Sequence, residues 1–385
     1  MNLTLKPAVL RWARERAGLD AAALAKKVGL TVARIHGWEN SGELRFKQAE
    51  KLAQVTHTPF GYLYLATPPV ETLPVPDFRT VADTEVLSPS PELLDVLDEA
   101  QRRQDWFRDY LVTRGAEPLA FVGSLDLKTT PQRAAARIAA HLGLTTELRA
   151  QSRLWEDALR LEVERIEDSG VLVMRSGIVG NNTHRPLDVD EFRGFALADR
   201  YAPLIFLNAK DAKGAQMFTL MHELVHLWLG LTGVSNLTET YAPARETEQF
   251  CNAVAAEILV PENELVEKWK IGRGRTDVLP WLAGHFKVSS LVLLRRLHDL
   301  KHLGWDEFLQ RYRQEEARFV QLAAKQAGGG DFYRTQRSRS GERFAKALIE
   351  STLEGRTPYR DAMRLLGISK LSTFNQFARE LEFFV

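Results

Sequence analysis

Apolar residues open the chain at helical spacing. Val9, Leu10, Ala13 and Ala17 share one face behind Pro7, a residue suited to a first helical turn. Asp20 is placed to cap a helix over Ala21–Val28 that Gly29 ends. Thr31 is placed to cap the next, with Val32, Ile35 and Trp38 along it. Gln48–Gln54 and Phe60–Leu65 predict two more short helices. Two short helices joined by a glycine-containing turn make a helix-turn-helix pattern. Residues 67–91 then hold six of the sixteen prolines and predict an extended linker.

Helical spacing resumes from Glu92 to about Thr113 and over Pro131–Leu142. Strand-type runs follow at Val171–Arg175, Phe192–Ala196 and Pro203–Leu207. Ala215–Leu229 predicts a helix with Gly230 as its C-terminal cap, and Glu246–Leu259 another that stops before Pro261. From Glu262 the pattern is helical to the end, interrupted at Gly328–Gly330. No internal repeat is visible.

Composition narrows the classes. Of the 385 residues 45% are hydrophobic and 26% charged, which excludes disorder as the main state. The net charge is +1, yet the first 65 residues hold ten basic and five acidic side chains. A basic front end on a mildly acidic body points to a module that meets nucleic acid or an acidic partner. The single cysteine, Cys251, excludes internal disulfides and cysteine-rich metal sites. No apolar stretch is long enough to cross a bilayer and no signal segment opens the chain, so the expected setting is cytoplasmic with no membrane partner.

The chemistry concentrates in His222-Glu223-Leu224-Val225-His226, inside the central predicted helix. Residues four apart on a helix project from one face, so both imidazoles can meet one ion. Zinc accepts neutral imidazole nitrogens, and another divalent transition metal would take the same donors. Glu223, one residue past the first ligand, can serve as general base without ligating the metal. A catalytic site takes a third protein ligand and keeps one position open. Three carboxylates lie downstream. Glu248 shares a face with Cys251, Asn252 and Ala255, whose small size lets the two helices approach. Glu246 faces Phe250, Ala253 and Val254, and Glu257 lies about half a turn round from Glu248. Glu248 is therefore the expected third ligand.

Phe192-Arg-Gly-Phe-Ala-Leu-Ala-Asp199, Ala202-Pro-Leu-Ile-Phe-Leu-Asn208 and Phe218-Thr-Leu-Met-His-Glu-Leu-Val-His226 together resemble the ImmA/IrrE family of metallopeptidases. Glu248-Gln-Phe-Cys-Asn-Ala-Val-Ala-Ala-Glu-Ile-Leu-Val-Pro261 is similar to that family's second signature. The resemblance implies zinc ligands His222, His226 and Glu248 with Glu223 as base, in a gluzincin-like zinc endopeptidase. It also implies the substrate class, a DNA-binding repressor or antitoxin cleaved in response to stress.

Residues 6–65 resemble the XRE-type helix-turn-helix of phage repressors, through Leu24-Ala-Lys-Lys-Val-Gly29, Ile35-His-Gly-Trp-Glu39 and Gln48-Ala-Glu-Lys-Leu-Ala53. The second helix of such a motif enters the major groove. It would present Thr31, Ala33 and Arg34, with Lys27 from its neighbour, while Lys26 and Arg45 contact phosphates. Gly42-Glu-Leu-Arg-Phe-Lys47 departs from that family: it lacks the usual proline and is one residue short. DNA binding and docking onto a protein of similar fold are both open.

The expected fold class is α+β. It comprises an all-α helix-turn-helix module (1–66), the proline-rich linker (67–91), a zincin-like core with a small sheet and a helical lead-in (92–270), and an α-helical C-terminal region (271–385). The alternative function is a DNA-binding regulator whose zinc site is sensory or structural. Cys251 reads as a buried, inert thiol. The tryptophans, Trp305 included, read as core. His298 and His302, near Arg295, Arg296 and Lys301, read as a solvated basic face. Tyr201, Tyr241 and His285 are equal candidates to stabilise an oxyanion.

Overall fold

The computed structural model describes residues 1–76, 89–145, 148–149, 151–235, 246–272, 274–325 and 331–384. The centre of the proline-rich segment, Tyr241 and the Gly328–Gly330 run lie outside the described residues. The chain divides into two compact units, one built on Met1–Pro74 and one on Asp98–Val385.

In the first unit, α1 (Pro7–Arg16), α2 (Ala21–Val28), α3 (Val32–Ser41) and α4 (Phe46–Thr56) precede a 3₁₀ turn over Phe60–Tyr64. Leu10, Leu24, Ile35, Trp38, Leu52 and Leu63 close a single core. The caps fall where the sequence placed them: Asp20 accepts from the Ala23 amide at 2.6 Å and Thr31 from the Arg34 amide at 3.4 Å. Glu39, buried on α3, pairs with Arg14 of α1 at 2.6 Å.

Two strands were not expected. β1 (Asn2–Thr4) and β2 (Glu43–Arg45) pair antiparallel, with Leu3 opposite Leu44. This ladder occupies the stretch that departs from the XRE pattern. Gly42 makes it possible: it is left-handed at φ 73°, and a Cβ there would lie 2.0 Å from the Leu5 carbonyl oxygen. Only glycine lets the backbone turn into the strand at that distance.

The second unit runs through α5 (Pro91–Thr113), α6 (Pro131–Leu142) and α7 (Trp155–Asp168) to a four-stranded sheet. Its strands are β3 (Leu172–Ser176), β4 (Gly194–Leu197), β5 (Leu204–Asn208) and β6 (Gly233–Ser235), in the order β3-β5-β4-β6. β3 and β5 are parallel, and β4 is antiparallel to both neighbours. β6, three residues long, was not expected. Between β5 and β6 lies α8 (Lys213–Leu229), whose residues from Met217 to Trp228 are buried apart from Phe218. A helix apolar on nearly every face belongs at the centre of a layered fold. Gly230 caps it in the left-handed region.

α9 (Glu246–Leu259) packs along α8 and α6. Two buried arginines hold its C-terminal end. Arg149 donates to the carbonyls of Ile258 at 2.6 Å and Leu259 at 3.0 Å. Arg296 donates to the Val260 carbonyl at 3.0 Å and pairs with Glu257. Cations at a helix C-terminus answer its exposed carbonyls and its dipole. Beyond come α10 (Glu262–Gly272), α11 (Val278–Phe286), α12 (Ser290–Asp299) and α13 (Trp305–Lys325). One hydrophobic core gathers residues from Phe121 through Phe308. Finally α14 (Phe332–Ser340) and α15 (Glu342–Leu353) pack on β3, followed by α16 (Tyr359–Leu366) and α17 (Leu371–Glu380).

Two expectations are corrected. The expected solvated basic face holds only in part: Lys301 and His302 are exposed, but Arg296 is buried and the His298 ring stacks on Phe308 with centroids 4.7 Å apart. Charge in the sequence suggested solvent, but Glu257 compensates the arginine inside. Trp305 is 36% exposed, because it begins α13 at the edge of that aromatic cluster.

Candidate metal centre

The sequence puts His222 and His226 one turn apart on α8, and both imidazoles are buried. Their Nε2 atoms lie 3.0 Å apart. Glu248 enters from the first turn of α9, its Oε2 3.1 Å from His222 Nε2 and its Oε1 3.1 Å from His226 Nε2. α9 comes this close because the face beside Glu248 carries Cys251 and Ala255, both fully buried. Among the described residues these three form the one cluster with ligand atoms within 4.8 Å of one another.

The donor set fits a small divalent metal. A tetrahedral zinc site with donors at about 2.1 Å spaces them about 3.4 Å apart, close to the triangle found. His222 Nδ1 donates to Asn252 Oδ1 at 3.0 Å, which leaves Nε2 as a lone-pair donor aimed inward. A buried imidazole lone pair, a second imidazole and a carboxylate converging without a cation would crowd acceptors together.

Electrostatics separates the two glutamates. Burial pushes Glu223 well above the usual carboxyl range, and the charge of Glu248 adds to this; the Ser235 hydroxyl nearby draws it partly back. For Glu248 burial acts upward too, but its bonds to His222 and His226 outweigh that and hold it far below the usual range. Burial lowers His226, favouring neutral imidazole. The site thus pairs an anionic Glu248 with a Glu223 of raised proton affinity. Burial raises the Cys251 thiol well above its ordinary value, so it stays protonated.

Glu223 is fully buried, and neither of its oxygens has a donor in hydrogen-bond geometry among the described residues. It faces Gly194 of β4, where a Cβ would lie 3.1 Å from Glu223 Oε1 and 2.7 Å from Thr219 Cγ2. The strand can approach the carboxyl only as glycine.

Other expected residues fall elsewhere. Glu246 is exposed, and Glu257 is the partner of Arg296. His285 is engaged with Glu264 at 2.6 Å, and the Tyr201 amide donates to Asp199. On the first unit Lys26, Lys27, Thr31, Arg34 and Arg45 are all exposed. Asn252, Gly194 and Ser235 had been given no role. The signal for Asn252 was its place four residues after Glu248; nothing local marked the other two.

Residues 166–298 match the peptidase family model described as IrrE N-terminal-like domain. Residues 10–63 match a helix-turn-helix model. Both resemblances are borne out. A third model, a domain of unknown function, matches residues 340–380. Neither the curated proteins nor the solved structures yielded a match. The matched segment contains the whole His222–His226–Glu248 cluster. No helix among the described residues is long and apolar enough to cross a membrane.

Proposed function

We propose that this chain is a zinc-dependent endopeptidase, with His222, His226 and Glu248 as metal ligands and Glu223 as the general base and acid. The observation that carries the reading is the pairing of a converged buried donor triangle with an adjacent buried carboxyl that does not join it. A site that only sensed or stabilised would have no use for that second carboxyl.

When bound, the metal supplies Lewis acidity to a carbonyl oxygen and makes water nucleophilic near neutral pH. Glu223 takes the proton from the attacking water. Its raised proton affinity lets it hold that proton until the leaving amine accepts it. Asn252 fixes the tautomer and plane of His222. Gly194 lets β4 pack directly against the Glu223 carboxyl.

The substrate is a DNA-binding transcriptional regulator, a repressor or antitoxin, cut in the cytoplasm under stress. Support for this comes from the helix-turn-helix match ahead of the peptidase-like segment. Lys26, Lys27, Thr31, Arg34 and Arg45 on that head contact operator DNA and bring the enzyme to the regulator bound there. The test is incubation of the purified protein with helix-turn-helix regulators of its own genome, with and without chelator, followed by intact mass. Discrete fragments that chelator abolishes are expected. Intact regulators throughout, with metal present, would remove the peptidase reading and leave a metal-sensing regulator.

A further inference from the structure

The start of the proline-rich segment is pinned twice. Glu71 pairs with Arg16, whose guanidinium also donates to the His57 carbonyl at 3.1 Å. Val75, a few residues on, is buried and belongs to the second unit. The Val234 amide of β6 donates to the Pro76 carbonyl at 3.1 Å. A stretch expected to run free as a linker thus commits a side chain and a carbonyl to the second unit.

The place it occupies borders the metal centre. β6 is the outermost strand in the order β3-β5-β4-β6. On its inner side Ser235 lies opposite Gly194, and Val234 opposite Phe195. Successive residues of an antiparallel strand turn their amides to opposite sides, and that of Val234 turns away from β4, out to Pro76. Val234 directly precedes Ser235, whose partner Gly194 is the residue where a Cβ would lie 3.1 Å from Glu223 Oε1. An open strand edge takes up an extended polypeptide through main-chain hydrogen bonds. A polypeptide paired with β6 would therefore pass close to the Glu223 carboxyl.

The covering segment is also a poor strand. Pro74 and Pro76 have no N–H and cannot donate to a ladder. The segment covers the edge through Val75 and the Pro76 carbonyl but cannot zip along it. A polypeptide with an N–H at every residue would pair more completely and displace it.

We infer that Val75–Pro76 is an internal cover: it occupies the β6 edge on which an extended polypeptide substrate docks, and holds the site shut until displaced. That the docked chain is a substrate rests on the peptidase reading; that the edge is covered does not.

The test compares the zinc-loaded full chain with Val75→Asp, which places a charge where an apolar side chain is buried. Thr72→Asp, the same charge at an exposed position of the segment, is the control. Deuterium exchange read by mass spectrometry on overlapping peptides should show the Val234 amide exchanging about tenfold faster or more in Val75→Asp, and unchanged in Thr72→Asp. Fluorescein-labelled casein, an unfolded protein rich in extended stretches, serves as the probe. Its anisotropy should report binding to Val75→Asp about tenfold tighter than to wild type, because an occupied edge lowers apparent affinity by the fraction left open. Cleavage of the same casein should rise in step. If Val75→Asp melts early, Val75→Ala is read in its place, with shifts in the same direction. Unchanged exchange at Val234, or faster exchange with no gain in casein binding, would overturn the inference and leave Val75–Pro76 as plain edge packing. Tighter binding with the casein left intact would uphold the cover and remove the peptidase reading instead.

Discussion

His222 on α8 donates through Nδ1 to Asn252 Oδ1 on α9, across 3.0 Å, four residues beyond Glu248 on the same helix. One helix therefore brings both the third candidate ligand and the group that orients the first. Replacing Asn252 with alanine should lower zinc affinity about ten- to a hundredfold without unfolding the chain. Competition with a chromophoric chelator measures it. Asn252→Asp, which keeps an acceptor, should recover much of the loss, and equal affinity in all three proteins would deny Asn252 this role.

Glu223 and Glu248 should separate cleanly under substitution. Glu223→Gln should retain about one metal ion per chain and lose cleavage by ~10²–10⁴-fold, the usual share of general acid–base catalysis. Glu248→Ala should weaken metal binding itself, as should His222→Ala. Metal analysis beside a cleavage assay distinguishes them. Wild-type turnover in Glu223→Gln would assign the base elsewhere.

Gly194→Ala tests the approach of β4 to the centre. Its Cβ would meet Thr219 Cγ2 at 2.7 Å, the Phe206 carbonyl oxygen at 3.0 Å and Glu223 Oε1 at 3.1 Å. One of these contacts is backbone, so the strand or Glu223 must move. We expect a loss of about 1–3 kcal/mol in stability, as for other overpacked sites. Cleavage should fall while metal content stays. Activity at the wild-type level would show that the carboxyl tolerates displacement.

Periodic and capped elements were legible in the sequence, and elements held by tertiary contacts were not. α2, α6 and α9 carry their own caps or breakers, and the expected bounds match those found. The spacing of His222 and His226 placed both on one face of a helix because that geometry is local. Glu248 was reached by comparing helix faces, since one of three carboxylates shared its side with small residues. β1, β2 and β6, three residues each, have no alternation long enough to notice. Arg296 read as part of a solvated face; its burial, like that of Arg149, depends on the carbonyls at the end of α9, far away in sequence.

Stability should fall as pH rises from the ordinary carboxyl range to neutrality. Burial raises Glu162 to about 7, against a weaker downward pull from Arg149, whose Nε stands 3.5 Å away. Burial likewise raises Glu167 to about 7. A carboxyl with a raised folded pKa binds its proton more tightly when folded, so its contribution is complete below about 4.5 and is lost as pH rises through 7. For Glu162 the loss is of the order of 3 kcal/mol. Denaturant midpoints at pH 5 and pH 8 should differ less in Glu162→Gln than in wild type, Glu167 keeping its own share. Parallel curves for the two proteins would place the Glu162 charge in a better-compensated site.

The DNA contacts proposed for the first unit predict a salt signature. Lys26 and Arg45 are exposed and suited to phosphate, whereas Arg34 lies on α3, the helix expected in the groove. Neutralising phosphates releases counterions, so log affinity should fall linearly with log salt. In the full chain, Lys26→Ala should weaken all duplexes alike and reduce that slope by about one. Arg34→Ala should relax sequence preference at one position while the slope changes less. A titration at several salt concentrations, on a selected duplex and a scrambled one, reads both quantities. If binding is weak, blind to sequence and gone at moderate salt, phosphate attraction alone accounts for it. The +5 charge of the head would then serve to dock an acidic protein, and the head would reach its regulator directly and not through DNA.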